Sequence, residues 1–228
     1  MALACAEKET QVLKVGTDTT YPPMEYKDVQ TGKIVGFDID LMDSLADRMG
    51  YTVEYVEVPF DGIVAGLNTG KYDAIISSFT ITPQRKAEVN FTKPYMNAGQ
   101  SIAVGLDEVK IKSFADLKGK KIGAQLSTTG EKLAGTVPNA LVVSFDAISA
   151  AFIDLENGHL DAIVNDRPVS ARFVALKKTA RLLDTTLTSE NYGIALRKGD
   201  SRLEEFNTAL AELETSGVLP ALEEKWFK

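Results

Sequence analysis

Two nonapeptides, GKYDAIISS at residues 70–78 and GHLDAIVND at residues 158–166, restrict the fold more than any other feature of the chain. Each reads as a turn glycine, an aspartate and an apolar strand. The likeness extends upstream. Phe60-Asp61-x-Ile63 precedes the first copy as Phe145-Asp146-x-Ile148 precedes the second, with the intervening helix three residues longer in the second copy. Chance could supply DAI twice, but not readily FDxI, a helix, a glycine and a DAI strand in one order. The chain therefore reads as two similar α/β lobes. Asp73 and Asp161, common to both copies, read as turn or strand-entry residues rather than site residues.

The flanking sequence has the period of alternating strands and helices, the pattern of a parallel sheet with crossover helices. LKVGTD (13–18) is a strand, and residues 37–50 place Phe37, Leu41, Met42, Leu45 and Met49 on one helical face before Gly50. A strand over 51–58 follows, then a short helix over 59–70 capped by Asp61 and closed by Gly70. In the second half, KIGAQ (121–125) is a strand, residues 128–135 open a helix, and residues 140–158 form a strand and a helix. After a strand and turn at 190–200, the tail ends in helices over 201–217 and 218–227, with Trp226 and Phe227 as packing anchors. Two connections are open. The second lobe could be simply appended, or the chain could cross near Gly99 and return near Tyr192, making two crossing hinge strands.

Composition removes several classes of function. Of 228 residues, 25 are Lys or Arg and 32 are Asp or Glu, giving a net charge of −7. Without a basic run longer than KGKK (118–121), nucleic acid and anionic membrane surfaces are poor partners. No apolar run approaches the ~20 residues that span a bilayer. Cys5 is alone, which excludes an intrachain disulfide and a cysteine-based metal site. Its setting, Ala2-Leu3-Ala4-Cys5 before AEKET, looks like the end of a bacterial lipoprotein signal, with Ala2 where a large aliphatic residue is usual. Cys5 is thus either a lipidation candidate or incidental, and residues 1–10 read as a flexible segment outside the fold. His159 lies in a turn, so no Ser-His or Cys-His pair can be built. There is also no metal-ligand spacing, P-loop or GxGxxG, so no metal or cofactor is expected.

Ligands of open α/β sheets sit beyond the carboxyl ends of the strands. Asp18 and Tyr21 follow the first strand, and Ser77, Ser78, Phe79 and Thr80 follow the first DAI strand. Thr82-Pro83 is a strong helix start, which puts Arg85 in the first turn, where a cation opposes the helix dipole. A guanidinium beside hydroxyls and backbone N–H groups makes a fork for a carboxylate; pairing with Glu88 is the alternative. In the second half, Thr128 and Thr129 open a helix after KIGAQ, and the second DAI strand ends in Asp166. Asp166 can serve as an acceptor for a ligand ammonium, as the N-cap of the helix marked by Pro168, or as both. One copy ends in donors and the other in a negative charge, a pairing suited to a zwitterion.

Taken in order, GTDTTYPPMEY (16–26), GFDIDL (36–41), SSFTITPQR (77–85), DLKGKKIG (116–123), NDRP (165–168), YGIALRKGD (192–200) and EKWF (224–227) resemble the extracytoplasmic polar amino-acid-binding proteins of bacterial ABC uptake systems. Met24 stands where phenylalanine is frequent in that family, and LSTTG replaces its more usual QGTT-like turn. The resemblance implies a two-lobed Venus-flytrap fold with two crossing hinge strands. Lobe 1 would comprise residues 11–97 plus 193–228, and lobe 2 residues 98–192. It implies that Arg85 and Thr80 hold the α-carboxylate of a free L-amino acid, with Thr129 and the backbone near Ser78 assisting. Asp166 would take the α-ammonium, Tyr21 and Phe60 would flank the side chain, and Asp18 would approach its far end, with Phe79 nearby. Asp18 and aromatic walls suit arginine or lysine first and glutamine second.

The implied protein is a monomer in the periplasm or lipid-anchored at the outer face of the cell membrane. It closes about its hinge on the ligand and delivers it to an ABC permease. Two alternatives share the scaffold: a sensing domain of a receptor, and a cyclohexadienyl dehydratase-like enzyme that would need Glu25, Glu131 or Asp18 to handle a proton.

Overall fold

The computed structural model describes residues 11–228; the lipidation candidate Cys5 and the rest of the segment expected to be flexible lie outside the described residues. Two five-stranded sheets share one plan. The first orders its strands as Tyr51–Glu57, Gln11–Thr17, Ala74–Ile75, Ala195–Leu196 and Asn90–Phe91. The second runs Leu141–Phe145, Lys121–Gln125, Ala162–Asp166, Gln100–Gly105 and Ala180–Leu182. In each, the first three strands are parallel and the fourth is antiparallel to both its neighbours.

The repeated motif occupies the same register in both sheets. Val15 and Gly16 pair with Ala74 and Ile75, and Ile122 and Gly123 pair with Ala162 and Ile163. The shared aspartates stand at the strand entries: Asp73 Oδ2 accepts from the Lys14 N–H (3.0 Å), and Asp161 Oδ2 from the Lys121 N–H (2.7 Å). Each carboxylate satisfies a backbone donor at the sheet rim, which explains why both copies keep it. The residue before each aspartate lies across the glycine of the neighbouring strand. A Cβ on Gly16 would fall 2.5 Å from the Tyr72 ring, and one on Gly123 would fall 2.5 Å from Leu160 Cδ1. Both copies thus use a large side chain over a bare backbone to bring helix and sheet together.

The chain crosses between the lobes on two paired antiparallel strands, Met96–Ala98 and Glu190–Tyr192. The tail then joins the first sheet through Ala195–Leu196, so the second lobe is inserted, not appended. Helix Leu203–Thr215 buries Phe206, Leu210 and Leu213 in the core it shares with helix Phe37–Met49. In the last helix, Val218–Phe227, Trp226 Nε1 donates to Asp40 Oδ2 (2.6 Å) and the Phe227 ring lies 5.2 Å from Phe37. These are the packing anchors expected of them.

Helix Phe37–Met49 ends at Gly50 in the left-handed region, φ 77°. One local reading fails. Asp61 does not cap a helix: Phe60–Gly62 is a 3₁₀ turn running into helix Ile63–Asn68, whose N-cap, Gly62, has no side chain to offer. Proline at 59 starts the turn two residues before Asp61 could act as a cap.

Gly16→Ala is expected to lower the unfolding free energy by about 2 kcal/mol through overpacking against Tyr72. Urea unfolding measures this; a loss below about 0.5 kcal/mol would mean that the ring moves freely aside.

Candidate ligand-binding cleft

The carboxyl ends of both sheets face a cavity between the lobes, and the cation in it is placed by local sequence. Thr82 caps helix Pro83–Glu88, its Oγ1 accepting from the Arg85 N–H (3.1 Å), so Arg85 leaves the first turn toward the cleft. The guanidinium lies 4.1 Å above the Phe79 ring centroid and 5.3 Å from that of Phe60. Nη1 donates to the Thr80 carbonyl (2.9 Å), and Nη2 crosses the cleft to the Ser127 carbonyl (3.2 Å). Arg85 does not pair with Glu88. Burial pulls its pKa down to about 10, with Asp166 and Glu190 opposing, so it stays charged at neutral pH.

The carboxylates stand apart from it and are also buried. Asp18 accepts from the Thr20 N–H and hydroxyl and, across the cleft, from Gln125 Nε2 (2.7 Å). Burial raises its pKa against those hydrogen bonds. Asp166 accepts from the Tyr192 hydroxyl (2.5 Å) and from Gln100 Nε2. Burial lifts its pKa to about 6, and Glu190 adds to the effect. Asp166 occupies the N-cap position of helix Arg167–Lys177 without making a side-chain cap bond, so the capping role expected of it is absent. Its carboxylate turns to the hinge tyrosine instead. A third inter-lobe contact joins the Tyr21 hydroxyl to Asn165 Oδ1 (2.7 Å).

Every ligand contact named from the sequence lines this cavity except Phe79; Glu25, named only as a proton-handling candidate, and Gln125 line it too. Phe79, expected nearby, lies beneath Arg85 and stacks on Phe91 at 5.4 Å. The serine donors are engaged elsewhere. Ser77 and Ser78 donate their hydroxyls to Glu25 (3.1 and 3.2 Å), and the Ser78 N–H goes to Asp38 Oδ2 (2.7 Å). The donors at the end of the first DAI strand are thus turned to two acids under the loop.

Thr128 spends its hydroxyl on the Gln125 carbonyl and on capping helix Thr129–Ala134. Thr129 donates to Glu190 on the hinge strand (2.7 Å). Of the proton-handling candidates, Glu131 is not among the cavity-lining residues; it accepts from the Ser127 N–H (2.7 Å) and the Ser144 hydroxyl. The residues the sequence reading missed are Gln100, Gln125, Asn165 and Tyr192. Gln125 and Asn165 end strands at the cleft, and position alone could have marked them; neutral amides simply drew less notice than charges.

The space open to the centre of a water molecule is about 10 Å³, about one water. Admission of anything larger requires the lobes to part. Among the described residues no cluster could hold a metal ion, and no helix is long and apolar enough to cross a membrane.

Two sheets facing a polar cleft across a two-stranded hinge define a Venus-flytrap binding protein. The chain belongs to the bacterial extracellular solute-binding proteins, family 3, which it matches over residues 13–228. The ABC transporter arginine-binding protein 1 of Escherichia coli K12 is 35% identical over 222 residues, covering 94% of this chain and 90% of that protein. An ancestral arginine-binding protein bound to arginine superposes with a TM-score of 0.93 at 42% identity, covering 97% of this chain and all (100%) of that one. An ancestral arginine-binding protein bound to glutamine superposes at 0.88 with 43% identity, covering 96% and 99%. Membership of this family puts the working place of the protein outside the cytoplasm.

The raised pKa of Asp166 has a consequence for stability. Between the ordinary value of 3.8 and about 6, the folded chain holds this proton and the unfolded chain does not. Stability contributed by the group therefore falls as pH rises through that window and stays low above it. Asp166→Asn cannot ionise, so it is expected to gain on the parent by on the order of 3 kcal/mol between acid and neutral pH. Urea unfolding at several pH values checks this, and parallel stability curves would contradict it.

Proposed function

We propose that the protein binds a free polar L-amino acid, arginine or lysine first and glutamine second, and delivers it to an ABC permease. The observation that carries the reading is one buried guanidinium, Arg85, sharing a cavity with buried carboxylates drawn from facing lobes, Asp18 and Asp166, while Glu25, also at its wall, is taken up by the Ser77 and Ser78 hydroxyls. A basic amino acid carries the mirror set, one carboxylate and two cations. Its α-carboxylate would take the Arg85 donors now given to the Thr80 and Ser127 carbonyls, with Thr80 and Thr129 adjoining. Its ammonium would replace Gln100 and Tyr192 as a partner of Asp166. Its side chain would run between Tyr21 and Phe60 to Asp18, displacing the Gln125 amide. Glutamine can meet Asp18 through its amide N–H but leaves the charge unmatched.

Capture follows from the hinge. With lobe 1 as residues 11–97 plus 193–228 and lobe 2 as 98–192, each lobe holds half the partners, and a ligand that completes both shifts the population toward closure. Moving that equilibrium from 1:99 to 99:1 needs ~5.5 kcal/mol of differential binding, within the ~8 kcal/mol that a micromolar Kd represents. The protein acts as a monomer and as a carrier, without catalysis. The relatives named as arginine-binding proteins support this over the dehydratase and receptor readings.

Isothermal titration calorimetry against the twenty amino acids tests the proposal. Arg85→Ala is expected to abolish heat with every ligand, because the α-carboxylate is common to all. Asp18→Asn is expected to weaken arginine and lysine by more than tenfold, about 1.4 kcal/mol, with a smaller loss for glutamine. Normal binding by Arg85→Ala would remove the carboxylate fork from the scheme.

A further inference from the structure

Among the described residues, Glu25 and Asp38 are the least exposed acids, 1% and 0%, and they come together at the inner wall of the cleft. Glu25 comes from hairpin strand Glu25–Lys27, and Asp38 from the first turn of helix Phe37–Met49. Ser78 bridges them, its hydroxyl on Glu25 and its N–H on Asp38, and each acid raises or lowers the other's pKa as an adjacent group. Glu25 accepts from the Ser77 and Ser78 hydroxyls, and Asp38 Oδ2 from the Ser78 N–H and the Tyr95 hydroxyl (2.9 Å). Asp38 Oδ1 has no donor among the described residues, although it is fully buried.

Two adjacent buried carboxylates cannot both ionise at small cost, and a buried acceptor without a donor is also unfavourable. One proton resolves both problems. Placed on Glu25, it supplies the donor that Asp38 Oδ1 lacks and removes one charge, leaving the other at a helix N-terminus that favours an anion. The groups facing the pair from packed elements do not supply a countercharge: Asp18 is an acid, and Tyr21, Tyr55 and Tyr95 are neutral phenols.

We propose that Glu25 and Asp38 share a single proton, and that the resulting pair positions the ligand-binding turn at Ser77–Ser78. Ser78 sits in the left-handed region, φ 48°, which a residue with a side chain adopts only when held there. Asp38 grips its N–H and Glu25 its hydroxyl. Two residues on, the Thr80 carbonyl orients Arg85, so the pair acts on the carboxylate fork through the turn. Burial raises the pKa of both groups, Glu25 well above its ordinary value and Asp38 to about 7, the direction that a proton held between them requires.

The proton can be seen without any ligand. In protein labelled with carbon-13 at glutamate carboxyls, one un-ionised resonance is expected at neutral pH, far above the ordinary glutamate value of about 4, and absent from Glu25→Gln. A spectrum in which every glutamate is ionised overturns the proposal. The positioning role rests on the ligand site proposed above and is tested separately with L-arginine. Glu25→Ala is expected to weaken binding at least about tenfold, and Glu25→Gln, which keeps a donor without a charge, to recover most of that loss. Glutamine no better than alanine at this position overturns the role. If the parent protein fails to bind L-arginine, the functional reading fails, while the resonance still decides the proton.

Discussion

A guanidinium that is 8% exposed governs the cleft. Removing such a charge from water is unfavourable by several kcal/mol unless the surroundings replace the lost hydration. Here they do so from both lobes. The Phe79 face lies below it, the Thr80 carbonyl comes from its own lobe, the Ser127 carbonyl from the other, and the acids Asp166 and Glu190 act at longer range. None of these is a direct carboxylate partner, so Arg85 keeps an unmet preference for a bidentate anion. That preference is what turns a solvated gap between two sheets into a site with a chemical demand.

The remaining contacts across the gap have the same character. Asp18 with Gln125 and Tyr21 with Asn165 are each one polar pair between lobes. Within one lobe, Tyr192 and Gln100 meet Asp166. All are hydrogen bonds that a ligand with suitable groups can take over at little net cost, because one bond is exchanged for another. An apolar seam would resist opening, whereas a polar one lets the lobes part into water and close again. The hinge, a single pair of three-residue strands, offers a narrow connection about which this can happen.

Much of this was legible from the repeat. The DAI strands and the FDxI entries announced two equivalent sheets, and the Asp73 and Asp161 contacts show the physical cause of the likeness. Arg85 was legible because Thr82-Pro83 fixes where its helix begins. What the sequence could not supply was direction. Ser77 and Ser78 stand where donors were wanted, but Glu25 and Asp38, from two other elements, draw them inward. Phe79 and Phe60 are equally aromatic on paper; only the packing of Phe91 decides which lies under the cation and which borders the cleft. The Asp166 side chain, free by local rule to cap its helix, goes to a tyrosine 26 residues away. In each of these a long-range contact overrides a local preference, whereas the missed cap at Asp61 is local, set by the turn that Pro59 begins.

The way the two sheets acquire their antiparallel strand separates them in time. The second sheet draws all five strands from residues 100–182, one contiguous stretch, whereas the first must wait for Ala195–Leu196 to sit between Ala74–Ile75 and Asn90–Phe91. Whenever the chain emerges amino end first, the half of the molecule begun first is the half finished last. Until Ala195–Leu196 arrives, the Ala74–Ile75 edge lacks its partner, and unwanted pairing would begin there.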